Sequence, residues 1–230
     1  MISLTFISDT HNKHKEITKD LIGGDILIHT GDLSSMGYEH EIREFAKWYD
    51  GLYQYDTKIF IAGNHDWGFQ DNTIRIQEII NSYKNIIYLQ DDFVLLEYPA
   101  EKQIKIYGSP WQPEFYNWAF NLPRNGRELE QKWKDIPSDT DILLTHGPAF
   151  GYVDKVIGGT VNLGCELLAK RIEEFKPKIH ASGHIHTGYG YTYNESTHFI
   201  NASVLDERYS YRNKPINIEW DTTTNIISFK

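Results

Sequence analysis

Cysteine is almost absent from this chain. Cys165 is the sole thiol among 230 residues, so no intrachain disulfide can form. A structural zinc site built on thiolates is excluded for the same reason, and a reducing compartment fits best. No apolar run reaches membrane-spanning length, and Met1 leads into a strand-like segment without a basic leader region. The expected location is the cytoplasm, with no membrane partner. An excess of basic residues is lacking too. Lysine and arginine number 23 against 32 acidic residues, a formal charge of −9. Long-range repulsion then opposes nonspecific attachment to nucleic acid, and no extended nucleic-acid surface is expected. Internal repeats and low-complexity linkers are also missing. With 40% hydrophobic residues, the chain reads as one domain over 1–230. Homo-oligomerisation is left open.

What is present is a series of short β-rich runs, at 2–8, 25–30, 58–62, 93–97, 104–107, 141–145, 178–182, 198–201, 215–220 and 226–229. Between them lie apolar residues at helical spacing. Ile42, Phe45, Trp48, Tyr49 and Leu52 form one such set, and Ile76, Ile79, Ile80 and Tyr83 a second. Leu129, Trp133 and Ile136 form a third; Cys165, Leu168, Ile172 and Phe175 form a fourth, closed by Pro177. Strands and helices alternate early and strands cluster late. That order predicts two sheets flanked by helices rather than one doubly wound parallel sheet.

Five polar clusters each follow a strand-like run: Asp9-Thr10-His11, Gly31-Asp32, Gly63-Asn64-His65-Asp66, Thr145-His146-Gly147 and Gly183-His184-Ile185-His186. Side chains at strand ends converge readily on one sheet edge. Any one cluster alone reads as a capped turn or a hydrogen-bonded histidine; the ordered set of five is far more specific. Imidazole, carboxylate and amide donors together suit a pair of divalent cations, and one carboxylate such as Asp32 can serve both. His14, His29, His40, His180 and His198 fall outside the clusters and are read as surface or structural histidines.

The order Asp-x-His, Gly-Asp, Gly-Asn-His-Asp, His, Gly-His-x-His resembles the calcineurin-like metallophosphoesterase superfamily over residues 9–186. The stretches Ile106-Tyr107-Gly108-Ser109-Pro110-Trp111, Phe120-Asn121-Leu122-Pro123-Arg124, Thr145-His146-Gly147-Pro148 and Ile200-Asn201-Ala202-Ser203 resemble a narrower group, the metallophosphoesterase-domain-containing (brain-type) family and its microbial relatives. The resemblance implies an α/β fold, an αββα sandwich of two mixed β-sheets flanked by helices, with a dinuclear metal site at one sheet edge. It also implies two divalent metal ions, manganese first and iron, zinc, magnesium or cobalt as alternatives. Asp9, His11 and His186 then correspond to ligands of one ion, Asp32 to the bridge, and Asn64, His146 and His184 to ligands of the other. His65 corresponds to the catalytic histidine near the leaving group, with Asp66 placed to orient it. Some members of the narrower group carry glycine where His184 stands; its retention here implies two ions. The Asp-Arg-Gly of the protein serine/threonine phosphatases is absent after Gly31-Asp32, which argues against that activity.

Two cations acidify a water held between them and neutralise phosphate oxygens, so a bridging hydroxide attacking phosphorus is the expected chemistry. The resemblance implies a phosphodiesterase acting on small phosphodiesters or nucleotides, including 2′,3′- or 3′,5′-cyclic nucleotides. The alternatives are a phosphomonoesterase or nuclease on the same centre, or a noncatalytic scaffold stabilised by metal. The aromatic, proline-containing stretch 108–126 has two readings. It is either a loop anchored by burial or a rim at which Trp111 and Trp118 stack on a nucleobase. In the second reading Arg124 contacts phosphate; in the first it braces the loop.

Overall fold

The computed structural model describes residues 1–98, 102–156 and 160–230. In chain order the first half runs β1 (Ile2–Ile7), α1 (His14–Ile17), β2 (Gly24–Thr30), α2 (Glu39–Asp50), β3 (Tyr55–Ile61), α3 (Trp67–Asp71), α4 (Thr73–Asn81), β4 (Ile86–Tyr88), β5 (Asp92–Tyr98) and β6 (Lys102–Ser109). The second half runs β7 (Gln112–Pro113), β8 (Asn121–Leu122), α5 (Arg127–Lys134), β9 (Ile142–Thr145), α6 (Glu166–Phe175), β10 (Ile179–Ser182), β11 (Gly190–Tyr193), β12 (His198–Asn201), β13 (Ile216–Asp221) and β14 (Ile226–Phe229).

Twelve of the described strands form two six-stranded mixed sheets, in the orders β14-β13-β1-β2-β3-β4 and β11-β12-β10-β9-β6-β5, and β7 pairs with β8 in a separate two-stranded ladder. In the first, β1 to β4 are parallel and β13 pairs antiparallel to β1. In the second, β12, β10, β9 and β6 are parallel, and β11 and β5 are antiparallel edges.

Alternation along each strand sorts its side chains between two layers. Ile26 and Ile28 of β2, with Ile59 and Ile61 of β3, meet Ile106, Ile142 and Leu144 of the other sheet in one central core. Leu27 and Phe60 point the other way, onto Phe45 and Tyr49 of α2 and Ile76, Ile79 and Ile80 of α4. On the far side Tyr107, Leu143 and Phe199 pack on Leu129 and Trp133 of α5 and Leu168 and Ile172 of α6. The layers are therefore helix, sheet, sheet, helix, the expected αββα sandwich. Both faces of the central strands are covered, which is why their sequences read as unbroken apolar runs.

The helical periodicities land on α2, α4, α5 and α6. Cys165 is the residue just before α6 rather than inside it, and its Sγ accepts from the Leu168 N–H at 3.4 Å. No helix among the described residues is long and apolar enough to cross a membrane.

Candidate metal centre

Each of the five polar clusters follows the C-terminal end of a parallel strand: β1, β2, β3, β9 and β10. The two sheets present these ends on one edge, so residues far apart in sequence become neighbours. Four of the clustered non-glycine residues take left-handed backbone, Asp9 (φ 54°), His11 (φ 38°), Asp32 (φ 54°) and His184 (φ 66°). Asp and His visit this region more readily than most residues, but a cost remains. Cross-loop bonds hold it in place: Asp9 N–H donates to Gly31 O and His11 N–H to Asp32 O, both at 3.0 Å. Glycines permit the close approach. A methyl on Gly183 would stand 2.0 Å from Ser8 Oγ and 2.3 Å from Asp9 Oδ2.

Among the described residues the side chains make three contiguous groups able to hold a cation: Asp9, His11 and His186; His11, Asp32 and His65; and Asp32, His146 and His184. Asp32 sits between the outer two. Its Oδ2 lies 3.6 Å from His11 Nε2 and 3.3 Å from His146 Nε2. His186 Nε2 is 3.5 Å from Asp9 Oδ1, and Asn64 Oδ1 is 3.0 Å from His146 Nε2. The His–Asp separations exceed ordinary hydrogen bonds and suit neighbouring ligands of one ion. His11 Nε2 is buried with no hydrogen-bond partner among the described residues, as a nitrogen reserved for an ion would be. Backbone carbonyls fix two ring tautomers. Thr30 O lies 2.9 Å from His146 Nδ1, and Asp206 O lies 2.9 Å from His186 Nδ1. A carbonyl only accepts, so each Nδ1 carries the hydrogen and each Nε2 offers its lone pair to an ion. The donor set fits a pair of divalent cations.

The electrostatics agree. Burial alone would push His146 and His186 down, but the carboxylates of Asp32 and Asp9 hold both up at about 9. In return those imidazoles, overcoming burial, hold Asp9 and Asp32 below the usual carboxylate range. Without an ion, two protons therefore balance two carboxylates. Burial pushes His11 down to about 4 and His184 to about 3, so both are neutral donors near pH 7.

His65 lies beside the centre and lines the adjoining cleft. Its N–H donates to Asp32 Oδ1 at 2.8 Å, and its ring Nδ1 is 2.9 Å from Ser35 O. The Ser35 N–H is itself held by Glu41 Oε1 at 3.3 Å. The expectation that Asp66 orients the His65 ring is corrected here. Asp66 is fully buried and accepts from the N–H groups of Leu33, Ser34 and Gly63 and from Ser34 Oγ. It ties the β2 and β3 loops together, and the Ser35 carbonyl holds the ring.

A cleft of about 550 Å³ opens from His11, Asp32, Asn64, His184 and His186. Neither tryptophan expected at its rim is among the described residues lining it. Trp111 Nε1 donates to Asp91 Oδ2 at 2.8 Å, Lys132 lies over its ring at 4.6 Å, and Phe120 packs edge-on. Trp118 stacks on His65, with ring centroids 4.0 Å apart, because Ala119 N–H binds Asn64 O and draws the segment onto that turn. Phe115 is the ring of this segment that reaches the cleft, edge-on to His184 at 5.3 Å. Arg124 borders the cleft, but its guanidinium binds Glu166 Oε2 at 2.7 Å and the carbonyls of Gly164 and Leu163.

Two side chains at the centre were given no role from the sequence. Ser203 Oγ donates to Asp9 Oδ2 at 2.7 Å. Tyr209, at φ 57°, sets its ring edge-on to His11 (4.8 Å) and His186 (5.4 Å). Of the histidines read as structural, His29 is buried against Thr10 Oγ1 and the Gly31 N–H, and His180 against Thr145 Oγ1.

The sequence profile of calcineurin-like phosphoesterases matches residues 2–188. The chain belongs to the calcineurin-like phosphoesterase family. It is 38% identical to human metallophosphoesterase domain-containing protein 1, over 95% of this chain and 71% of that protein. Among solved structures, TT1561 of Thermus thermophilus aligns with a TM-score of 0.67 at 12% identity, covering 100% of this chain and 98% of the other. The 5′-nucleotidase of Candida albicans aligns at 0.58 with 14% identity, covering 100% of this chain and 50% of the enzyme. At those identities the likeness is one of fold. Family membership supports metal-dependent phosphoester hydrolysis, and calcineurin-like phosphoesterases generally depend on two metal ions.

Proposed function

We propose that this protein is a phosphodiesterase acting on small phosphodiesters, cyclic nucleotides among them, at two divalent cations, manganese being the expected metal. The observation that carries this reading is the place of Asp32, whose one carboxylate faces both groups of imidazoles. Asp9, His11 and His186 would hold the first ion with Asp32, and Asn64, His146 and His184 the second. Bound there, the cations would acidify a water and neutralise charge on the phosphate oxygens.

The chain's own groups do the remainder. Thr30 O and Asp206 O keep His146 and His186 in the tautomer that presents Nε2. The Ser35 carbonyl keeps hydrogen on His65 Nδ1, so a protonated ring has its Nε2 proton available for the departing alkoxide. Trp118 stacks on that ring, inclined by 27°, and limits its rotation. The cleft has room for an ester substituent beyond the phosphate.

The test compares bis(4-nitrophenyl) phosphate with 4-nitrophenyl phosphate on manganese-loaded protein. The reading expects faster hydrolysis of the diester. Preference for the monoester would make the protein a phosphomonoesterase on the same centre. No turnover of either ester with any divalent ion would favour the scaffold.

A further inference from the structure

The cleft is short of free hydrogen-bond donors, and one of the few it has is unused. Outside the proposed ligands, most nitrogen and oxygen donors on the described lining side chains are already engaged. Gln112 Nε2 donates to Asn121 Oδ1 at 3.4 Å, and Thr187 Oγ1 to Lys155 O at 2.6 Å. Glu166 and two carbonyls occupy the Arg124 guanidinium, and no described lining residue is a lysine. His65 and Tyr209 remain. Tyr209 is 43% exposed, and its hydroxyl bonds to no described residue. Water solvates such a hydroxyl in the free protein and can be exchanged for a ligand oxygen.

The turn that carries Tyr209 is tied to the residues proposed for the first ion. Its backbone is left-handed (φ 57°), a conformation that bulky residues rarely adopt. The Tyr209 N–H donates at 2.8 Å to Asp206 O, the same carbonyl that accepts from His186 Nδ1. Asp206 Oδ1 accepts from the N–H groups of Arg208 and Ser210 at 2.9 and 2.8 Å, and Lys13 Nζ donates to Tyr209 O. These bonds hold the strained residue in place, as they do at sites where strain serves positioning. The Tyr209 ring stands edge-on to His11 at 4.8 Å, and His65 stands edge-on to the same imidazole at 4.6 Å. Burial, and then the charges of Asp32 and Asp9, push the Tyr209 phenol up. The phenol oxygen is therefore close enough to the centre to feel both carboxylates.

We propose that Tyr209 is a catalytic residue whose hydroxyl donates a hydrogen bond to a nonbridging oxygen of the substrate phosphate. The proposal rests on the phosphodiesterase reading and adds a donor to it. A hydrogen bond to an anionic oxygen is stronger than one to water. It strengthens further as charge gathers on the phosphate oxygens in the transition state. No proton is transferred. His65 acts on the oxygen that leaves and Tyr209 on an oxygen that stays, so the two roles separate by leaving group.

The test compares full-length, manganese-loaded wild type with Tyr209→Phe, which keeps the ring against His11 and His186 and removes only the oxygen. Metal content is measured in both, and binding of inorganic phosphate is followed by calorimetry. The variant is expected to lose about 10- to 100-fold in kcat/KM on diesters, with alkyl and nitrophenyl leaving groups alike. Phosphate should bind about 10-fold more weakly, with metal content unchanged. Sulfur is a weak acceptor, so for one diastereomer of a phosphorothioate diester the deficit should shrink to within about 3-fold. Wild-type activity and phosphate affinity in Tyr209→Phe overturn the proposal. A deficit that extra Mn²⁺ repairs assigns Tyr209 to holding His11 and His186, and overturns it too. So does a deficit confined to alkyl leaving groups, which belongs to the His65 step. Weaker phosphate binding in the variant, without turnover of any diester by wild type, sinks the phosphodiesterase reading and leaves Tyr209 as a phosphate donor. Diester turnover and phosphate binding that Tyr209→Phe leaves unchanged do the reverse.

Discussion

Two neighbouring residues divide the work at His65. The Ser35 carbonyl sets which ring nitrogen carries hydrogen, and the Trp118 ring, 4.0 Å away, sets the plane. His65→Ala should lower turnover of a diester with an alkyl leaving group by about 10²–10⁴-fold. The loss should shrink for a nitrophenyl leaving group, which departs without a proton. Trp118→Leu should show the same dependence on leaving group in weaker form, and it should leave metal content unchanged. A Trp118 defect confined to nucleotides, with nitrophenyl and alkyl diesters unaffected, would restore the base-stacking reading. The ligand residues themselves were legible because they come as short motifs, each after an apolar run. Their supports were not. Ser35, Thr30 and Asp206 act through backbone carbonyls, and a carbonyl leaves no signature in residue type. Asp66 was misplaced because adjacency in sequence suggested a contact that the turn geometry directs elsewhere.

At the level of elements, the site depends on loops from both sheets touching. Gly183 stands where the β10 loop crosses the β1 loop, and an alanine methyl there would fall 2.0 Å from Ser8 Oγ and 2.3 Å from Asp9 Oδ2. Gly183→Ala should displace Asp9 and His184, since the His184 N–H donates to both Asp9 oxygens at 3.0 and 3.1 Å. The expected outcome is weaker metal binding by at least about 10-fold with the far-UV spectrum retained, since overpacking of this kind costs about 1–3 kcal/mol. Metal affinity equal to wild type would show that the two loops move independently. Elements of seven or more residues were readable from periodicity, as α2 shows with Ile42, Phe45 and Tyr49 on one buried face. The four-residue α1, the five-residue α3, and β4 with three residues are too short to show a period. β11 carries exposed Tyr191 and Tyr193 on an edge, so no buried stripe marks it.

Across the whole molecule, burial of neutral histidines couples stability to pH. Burial pushes His14 down to about 4 and His29 and His180 to about 3. Unfolded imidazoles take up protons near 6.5, so between about pH 4 and 6.5 the unfolded chain binds more protons than the folded one. Stability must then fall as pH drops through that window, by up to about 1.4 kcal/mol per pH unit for each group. In metal-free protein His11 and His184, pushed down to about 4 and about 3, add to this trend. Asp66, held up to about 6 mainly by burial and then by the charge of Asp32, works in the opposite sense above 3.8, one proton against five. His146 and His186, held up at about 9, oppose the trend only towards pH 6.5 and above. The urea midpoint of metal-free protein should be lower at pH 5.0 than at 6.5, and His180→Gln should flatten the difference. A midpoint that is constant or rises on acidification would contradict this account. The central claim remains the pair of cations joined through Asp32. The most direct measurement titrates Mn²⁺ into metal-free protein while following bound metal, the exchange-coupled resonance signal and diester hydrolysis together. Two ions per chain, a coupled signal and activity that rises with the second ion are predicted, with coupling and activity both lost in Asp32→Asn. Full activity at one ion per chain, or two uncoupled ions unaffected by Asp32→Asn, would contradict it.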